Sequence, residues 1–206
     1  MMKLNSEWAL RLAVAAVLTT FTGYAAAEVP SQSLRLVSAD AQLNQQIDSK
    51  TATSGEQITA KLTSNVTTAD GTKIDRGAEL IGEVSGVEAS AHHGPAHISI
   101  VFNEARLKDG RQIPVRAVLL GAYPPEDDDN GTAADPMSLQ PHFIPADQKI
   151  DQEAGILSHV SLHSNAGGQS SGNFVSSDRD IHLGRGTQLQ FALAPRSSTN
   201  LMSGAE

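Results

Sequence analysis

His97-Ile-Ser-Ile-Val-Phe-Asn-Glu-Ala-Arg-Leu-Lys-Asp-Gly-Arg-Gln-Ile-Pro-Val115 is the stretch whose reading decides the fold. Ile98, Ile100 and Phe102 stand on every second position. After a polar break, Ile113, Val115, Ala117 and Leu119 do the same. Successive side chains of a strand point to opposite faces, so an apolar period of two reads as a half-buried strand. Between the two runs stands Asp109-Gly110. Both residue types tolerate positive φ, and the dipeptide is a strong hairpin signal. The stretch therefore predicts a strand ending near Leu107, a tight turn, and a second strand starting at Ile113.

The same period recurs at Ile58, Ala60 and Leu62, at Leu80, Gly82 and Val84, and at Leu189, Phe191 and Leu193. A second Asp-Gly pair, Asp70-Gly71, marks another hairpin. Gly55-Glu-Gln-Ile, Gly77-Ala-Glu-Leu and Gly186-Thr-Gln-Leu share a scheme in which a glycine precedes the first inward residue by three positions. The glycine would let the chain turn at positive φ before it enters the sheet. Two explanations stand side by side: a true internal repeat, or the common way a β-protein enters a strand. The best helical candidate is Ala41-Gln-Leu-Asn-Gln-Gln-Ile47, which allows one or two turns at most. The expected fold is all-β: a single small β-barrel or sandwich of short antiparallel strands with a long Pro/acidic loop insertion.

Residues 1–27 read as a signal peptide, with Lys3 and Arg11 before or within an apolar segment and Ala25-Ala-Ala27 as a small-residue cleavage site. The apolar stretch is broken by Thr19, Thr20, Thr22 and Gly23, short of the about 20 residues a spanning helix needs. The expectation is export to the periplasm or medium, with no stable membrane insertion after cleavage. The domain would cover 28–195, with a flexible insertion at 123–155 and a disordered tail at 196–206. The insertion carries five prolines and the acidic run Glu126-Asp-Asp-Asp129, and apolar periodicity disappears there.

Composition narrows the function. The chain has no cysteine, which removes disulfides and thiolate metal sites. It carries 15 basic and 23 acidic residues, a net charge of -8. A nucleic-acid or anionic-lipid partner calls for basic patches, so neither is expected as the main partner. Trp8, Phe21 and Tyr24 leave with the leader, and Tyr123 and four Phe remain. So few aromatic residues make a poor stacking surface for sugars or single strands.

Three motifs could carry chemistry. Gly168-Gln-Ser-Ser-Gly172 fits the spacing of a serine hydrolase elbow around Ser170. That elbow needs a buried strand before it and a helix after it, and the flanks supply neither signal. Glu126-Asp-Asp-Asp-Asn-Gly131 begins like a calcium loop, but its twelfth position is Met137, where a bidentate Glu is required. Ala91-His-His-Gly-Pro-Ala-His97 offers His92, His93 and His97 as candidate metal ligands for zinc or copper. Adjacent residues of an extended chain point apart, and Gly94-Pro95 reads as a turn, so a solvated loop competes with a metal site. His159 and His163 share one face of a strand at a spacing of about 13 Å, too long for one ion.

Ile47-Asp-Ser-Lys-Thr-Ala52, Arg76-Gly-Ala-Glu-Leu-Ile-Gly82, His97-Ile-Ser-Ile-Val-Phe102, Asp109-Gly-Arg-Gln-Ile113 and His182-Leu-Gly-Arg-Gly-Thr-Gln-Leu189 carry a resemblance. Together they resemble uncharacterised secreted β-proteins of bacteria. More distantly, their order is similar to the outer β-barrel domain of the TrbI-like scaffold proteins of type IV secretion and conjugation machines. The resemblance covers roughly 47–120 and 181–193 and rests on structural turns. It implies a barrel that works as part of an envelope assembly, and it carries over no catalytic residue. The scaffold family's cytoplasmic segment, uncleaved membrane helix, proline-rich stalk and barrel antennae have no counterpart here.

No catalytic site and no cofactor are expected from these residues. The reading is a non-enzymatic secreted or periplasmic β-domain, envelope-associated in the sense the resemblance implies, acting on a protein partner through loops 86–97 and 123–155. The alternative is a periplasmic metal-binding protein using the His-rich loop 92–97.

Overall fold

The alternating hairpin forms as two long strands, and the rest of the chain wraps around them. The computed structural model describes residues 35–125, 142–143, 148–152 and 157–196. The expected leader, the acidic run and the tail beyond Arg196 lie outside the described residues. Among the described residues fourteen strands are present: β1 (Arg35–Leu43), β2 (Ile47–Asp48), β3 (Gln57–Leu62), β4 (Val66–Thr67), β5 (Lys73–Ile74), β6 (Glu79–Glu88) and β7 (Ala96–Arg106). They continue with β8 (Gln112–Tyr123), β9 (His142–Phe143), β10 (Lys149–Gln152), β11 (Ser161–Asn165), β12 (Gly172–Ser176), β13 (His182–Leu183) and β14 (Gln188–Pro195). There is no helix among the described residues.

Six strands close into an antiparallel barrel in the order β7–β6–β3–β1–β14–β8, with β8 returning to β7. Closure leaves none of the six with an open edge along the ring. From Tyr123 the paired positions run through Gln188, Gln42, Lys61, Glu79 and Arg106 and return to β8 at Gln112, eleven residues away on the same strand. An offset of that size means strongly tilted strands, as a small barrel requires. The inward residues are those of the period-two runs. Ile58, Leu80, Ile98, Ile100, Phe102, Val115, Leu119 and Phe191 are all buried in one core. Phe102 and Phe191 meet edge to face, with ring centres 5.3 Å apart.

The Asp-Gly turns differ from the expected two-residue form. Gly71 and Gly110 have φ of 85° and 86°, but neither aspartate has positive φ. Gly110 N–H donates to Leu107 O, and Leu107 N–H donates to Arg111 O. The loop is therefore three residues long, a turn followed by a glycine bulge. Asp109 serves through its side chain, accepting from Arg111 N–H at 3.0 Å.

The three-glycine scheme is one repeated device. Gly55, Gly77 and Gly186 lie at φ 84° to 87°. Each donates its N–H to a neighbouring strand at 2.8 Å, on Val84, Leu62 and Leu43 respectively. Those three residues donate back at 2.9 Å to the carbonyl of the residue after the glycine. Gly55 thus ties the entry of β3 to β6, and Gly77 ties the entry of β6 to β3. Gly186 ties the entry of β14 to β1.

Ala41–Leu43, the expected helical turn, is the end of β1. Ala39 faces Phe191 across the ladder, and Ala41 faces Leu189 and Leu62. Two alanines at inward positions hid the period of two. The insertion also holds strands: β9 pairs with β1, and β10 pairs with β11.

Strands β10, β11 and β12 leave the barrel as a flap. β12 pairs with β7 over Ala96–Ile100, while β8 pairs with β7 over Glu104–Arg106. The two neighbours diverge between these stretches, and Ser171 fills the fork. Its N–H donates to Ile100 O, its carbonyl accepts from Leu119 N–H, and its hydroxyl accepts from Phe102 N–H, each at 2.8 Å. Buried backbone groups must be paired, and one serine pairs three. Outside the barrel, Leu36, Val118, Ala166, Ala192 and Ala194 form a second, small core, joined by Leu120 and Ile150.

Gly82 carries a sharp test of the β6–β7 contact. A Cβ there would lie 2.1 Å from Val101 O and 2.8 Å from a Phe102 ring carbon, whereas one on Gly86 would meet nothing closer than 3.7 Å. Gly82→Ala is expected to lose about 2–3 kcal/mol in chemical denaturation, and Gly86→Ala to stay within about 0.5 kcal/mol of wild type.

Candidate functional site

The histidine stretch forms the tip of the β6–β7 hairpin. Gly94 N–H donates to Ala91 O at 2.8 Å, closing a four-residue turn with His92 and His93 at its centre. Their φ values are 51° and 63°. Positive φ at both central residues defines a type I′ turn, which favours Asn-Gly. A non-glycine side chain in that region is strained by roughly 1–2 kcal/mol. Among the described residues the non-glycine positions with positive φ are His92, His93 and His159, all exposed.

The strained tip is pinned from beneath. Ser90 Oγ donates to Gly94 O at 2.7 Å, and Ser90 N–H donates to Asp180 Oδ1 at 2.9 Å. Asp180 also accepts from Ser49 Oγ at 3.1 Å, and its second oxygen pairs with Lys50 Nζ at 3.0 Å. Ser49 Oγ accepts from Ile181 N–H at 3.0 Å, and Ser49 N–H donates to Ile181 O at 2.9 Å. One carboxylate therefore joins three segments: the hairpin tip, the turn after β2 and the chain entering β13. The Ser90 amide foremost, then Lys50 and Ser49, hold its carboxyl below the usual carboxylate range. The two outer motifs of the resemblance meet here, because Leu183 pairs with Ile47 and His182 with Asp48. His182 Nδ1 lies 3.2 Å from Asp48 Oδ2.

His97 is placed apart from the other two. It lies on β7, half-buried, with Nε2 3.1 Å from Ser99 Oγ. Ser99 in turn donates to Asn173 Oδ1. Ser99 Oγ thus stands between the His97 ring and the Asn173 amide. His163 Nδ1 lies 2.8 Å from Asp151, farther out on the flap. Among the described residues no three His, Asp or Glu side chains come together as a group that could hold a metal. His92 and His93 build the turn through their backbone, and His97 lies against Ser99 on β7.

Ser170 stands half-buried just ahead of β12, so a strand, not a helix, follows it. The buried hydroxyl of that motif is Ser171, committed to the fork. The acidic run 126–131 lies outside the described residues.

Sequence reasoning reached the hairpin tip but missed Asp180, Ser49 and Ser90. Ser90 lies 90 residues from Asp180 and Ser49 lies 131 away, so no local spacing could reveal the network. The chain matches no protein-family model and no curated protein sequence.

Two outcomes follow. Replacing the tip as His92→Asn with His93→Gly relieves the left-handed strain and should raise stability by about 1 kcal/mol in urea denaturation. Asp180 binds its proton more weakly folded than unfolded, so its contribution is complete above the unfolded carboxylate range, about pH 4. That contribution is lost as pH falls through the lowered folded value. The stability gap between wild type and Asp180→Asn, measured by urea unfolding at stepped pH, should close in that acid window.

Proposed function

We propose that this chain is an exported, non-enzymatic β-barrel module that acts in the cell envelope by binding a protein partner. The contact surface is the end of the barrel that carries the 88–95 tip, the turn after β2 and the approach to β13. The observation that carries this reading is the Asp180 network. A solvent-facing hairpin tip is held in a strained left-handed turn by a charged anchor joining two distant segments. A surface loop fixed in one shape meets a partner with less ordering entropy still to lose. Loops on a rigid sheet scaffold are also the usual seat of recognition. The resemblance to TrbI-like scaffold barrels supports an envelope assembly as the setting. The metal-binding alternative has no ligand group among the described residues to favour it.

The test is site-specific photo-crosslinking in intact cells, with the probe residue at His93 or at Lys149 on the flap. Crosslinking from His93 to a discrete protein adduct, reduced at least about fivefold by Asp180→Ala and absent from Lys149, is the expected result. Equal adducts from both positions, or none from His93, would overturn the assignment of this end as the contact surface.

A further inference from the structure

The opposite end of β3, β6 and β7 carries a second feature, independent of the proposed protein contact. A groove of about 520 Å³ opens there, lined by Lys61, Arg76, Lys108, Asp75, Asn65 and Gln42 among others. A volume of that size falls within the range of small-molecule sites. Its charge runs against the rest of the molecule. The chain carries a net charge of -8, yet this groove gathers three cations around one carboxylate.

Four cations elsewhere are matched, while Lys73, Arg116 and Arg185, like the groove residues, have no ion pair among the described residues. Lys50 pairs with Asp180, Arg106 with Glu79, Arg111 with Asp109 and Arg179 with Asp178. Among the described residues neither Lys61, Arg76 nor Lys108 has an ion pair. The three come from separate elements: β3, the turn entering β6, and the β7–β8 turn. The fold also brings two of them close. A Cβ on Gly77 would lie 2.9 Å from Lys108 Cε and 3.7 Å from Lys61 Cε. Both stems therefore lean over a residue with no side chain, and two like charges share one wall of the groove. Such an arrangement repels itself and is relieved by a bound anion. Asn65 fixes the third cation's turn, its Oδ1 accepting from Arg76 N–H at 2.7 Å. Its amide NH₂ remains a donor of the kind an oxyanion accepts.

We propose that this groove binds a small multivalent oxyanion, a molecule bearing phosphate or several carboxylates. Lys61 and Lys108 supply point charges, and Arg76 supplies a planar fork suited to a two-oxygen face. Three cations on an acidic barrel suit a compact anion and not a nucleic-acid strand, which needs a longer basic track.

The experiment titrates the folded domain with pyrophosphate and, separately, with citrate at low salt, reading the backbone amide resonances of Asn65, Arg76 and Gly77. Chloride at matched ionic strength is the control. Saturable shifts confined to the groove are expected with at least one of the two anions. Lys61→Gln with Lys108→Gln should weaken that affinity about tenfold or more, and Arg179→Gln at the other end should leave it unchanged. Saturation by pyrophosphate alone would assign the site to phosphates, and by citrate alone to polycarboxylates. Shifts that do not saturate, that chloride reproduces, or that persist in the double variant would overturn the proposal. All three substitutions sit on exposed side chains, and an unchanged amide spectrum outside the groove establishes that the variants are folded.

Discussion

Everything in this molecule hangs on β7 being paired along its full length. β7 is eleven residues long and lines the core with Ile98, Ile100 and Phe102. On one edge β6 follows it throughout. On the other edge no single strand does, and the barrel would tear open where β8 and β12 part. An unpaired buried N–H or C=O costs about 1–3 kcal/mol, and the fork presents three such groups at once. Ser171 answers all three with its own backbone and hydroxyl. Alanine at 171 would leave Phe102 N–H without this acceptor. The barrel can therefore close and branch at the same place.

The glycine device explains how so small a ring keeps its register. A one-residue slip would turn every inward side chain outward. β3 and β6 grip each other at both ends, through Gly55 on Val84 and Gly77 on Leu62. A slip would have to break both clamps together. The same geometry at Gly186 on Leu43 fixes β14 against β1. The repeat first visible as a sequence scheme is a repeat of function, because each copy performs the same registration.

The parts of the fold that could be read from sequence are those encoded at short range. Period-two runs identified β3, β6, β7, β8 and β14, and both Asp-Gly pairs are hairpin turns. β1 was disguised by Ala39 and Ala41, whose small side chains fit an inward position without announcing it. β10 was hidden because Lys149-Ile-Asp-Gln152 has a single apolar residue. Ring closure itself is a long-range fact that no local pattern contains. The candidate site divides in the same way: His92 and His93 stand out in the sequence, while their anchor lies far along the chain. The groove cations are ordinary surface lysines and an arginine until one strand and two turns bring them together.

The junction between barrel and flap has its own consequence. The barrel interior is packed with large side chains, among them Phe102 and Phe191. The flap is held there as well: Leu162 of β11 and Phe174 of β12 are fully buried in the same core, and Ala166 joins the small outer cluster. Lifting the flap would expose Phe174 and Leu162 to water and strip β7 of its partner over Ala96–Ile100, so flap and ring resist local opening together. The flap is a branch of the ring's own cooperative unit and shares its core through β12. Amide exchange along the Ala96–Ile100 ladder would then follow the opening of the ring itself.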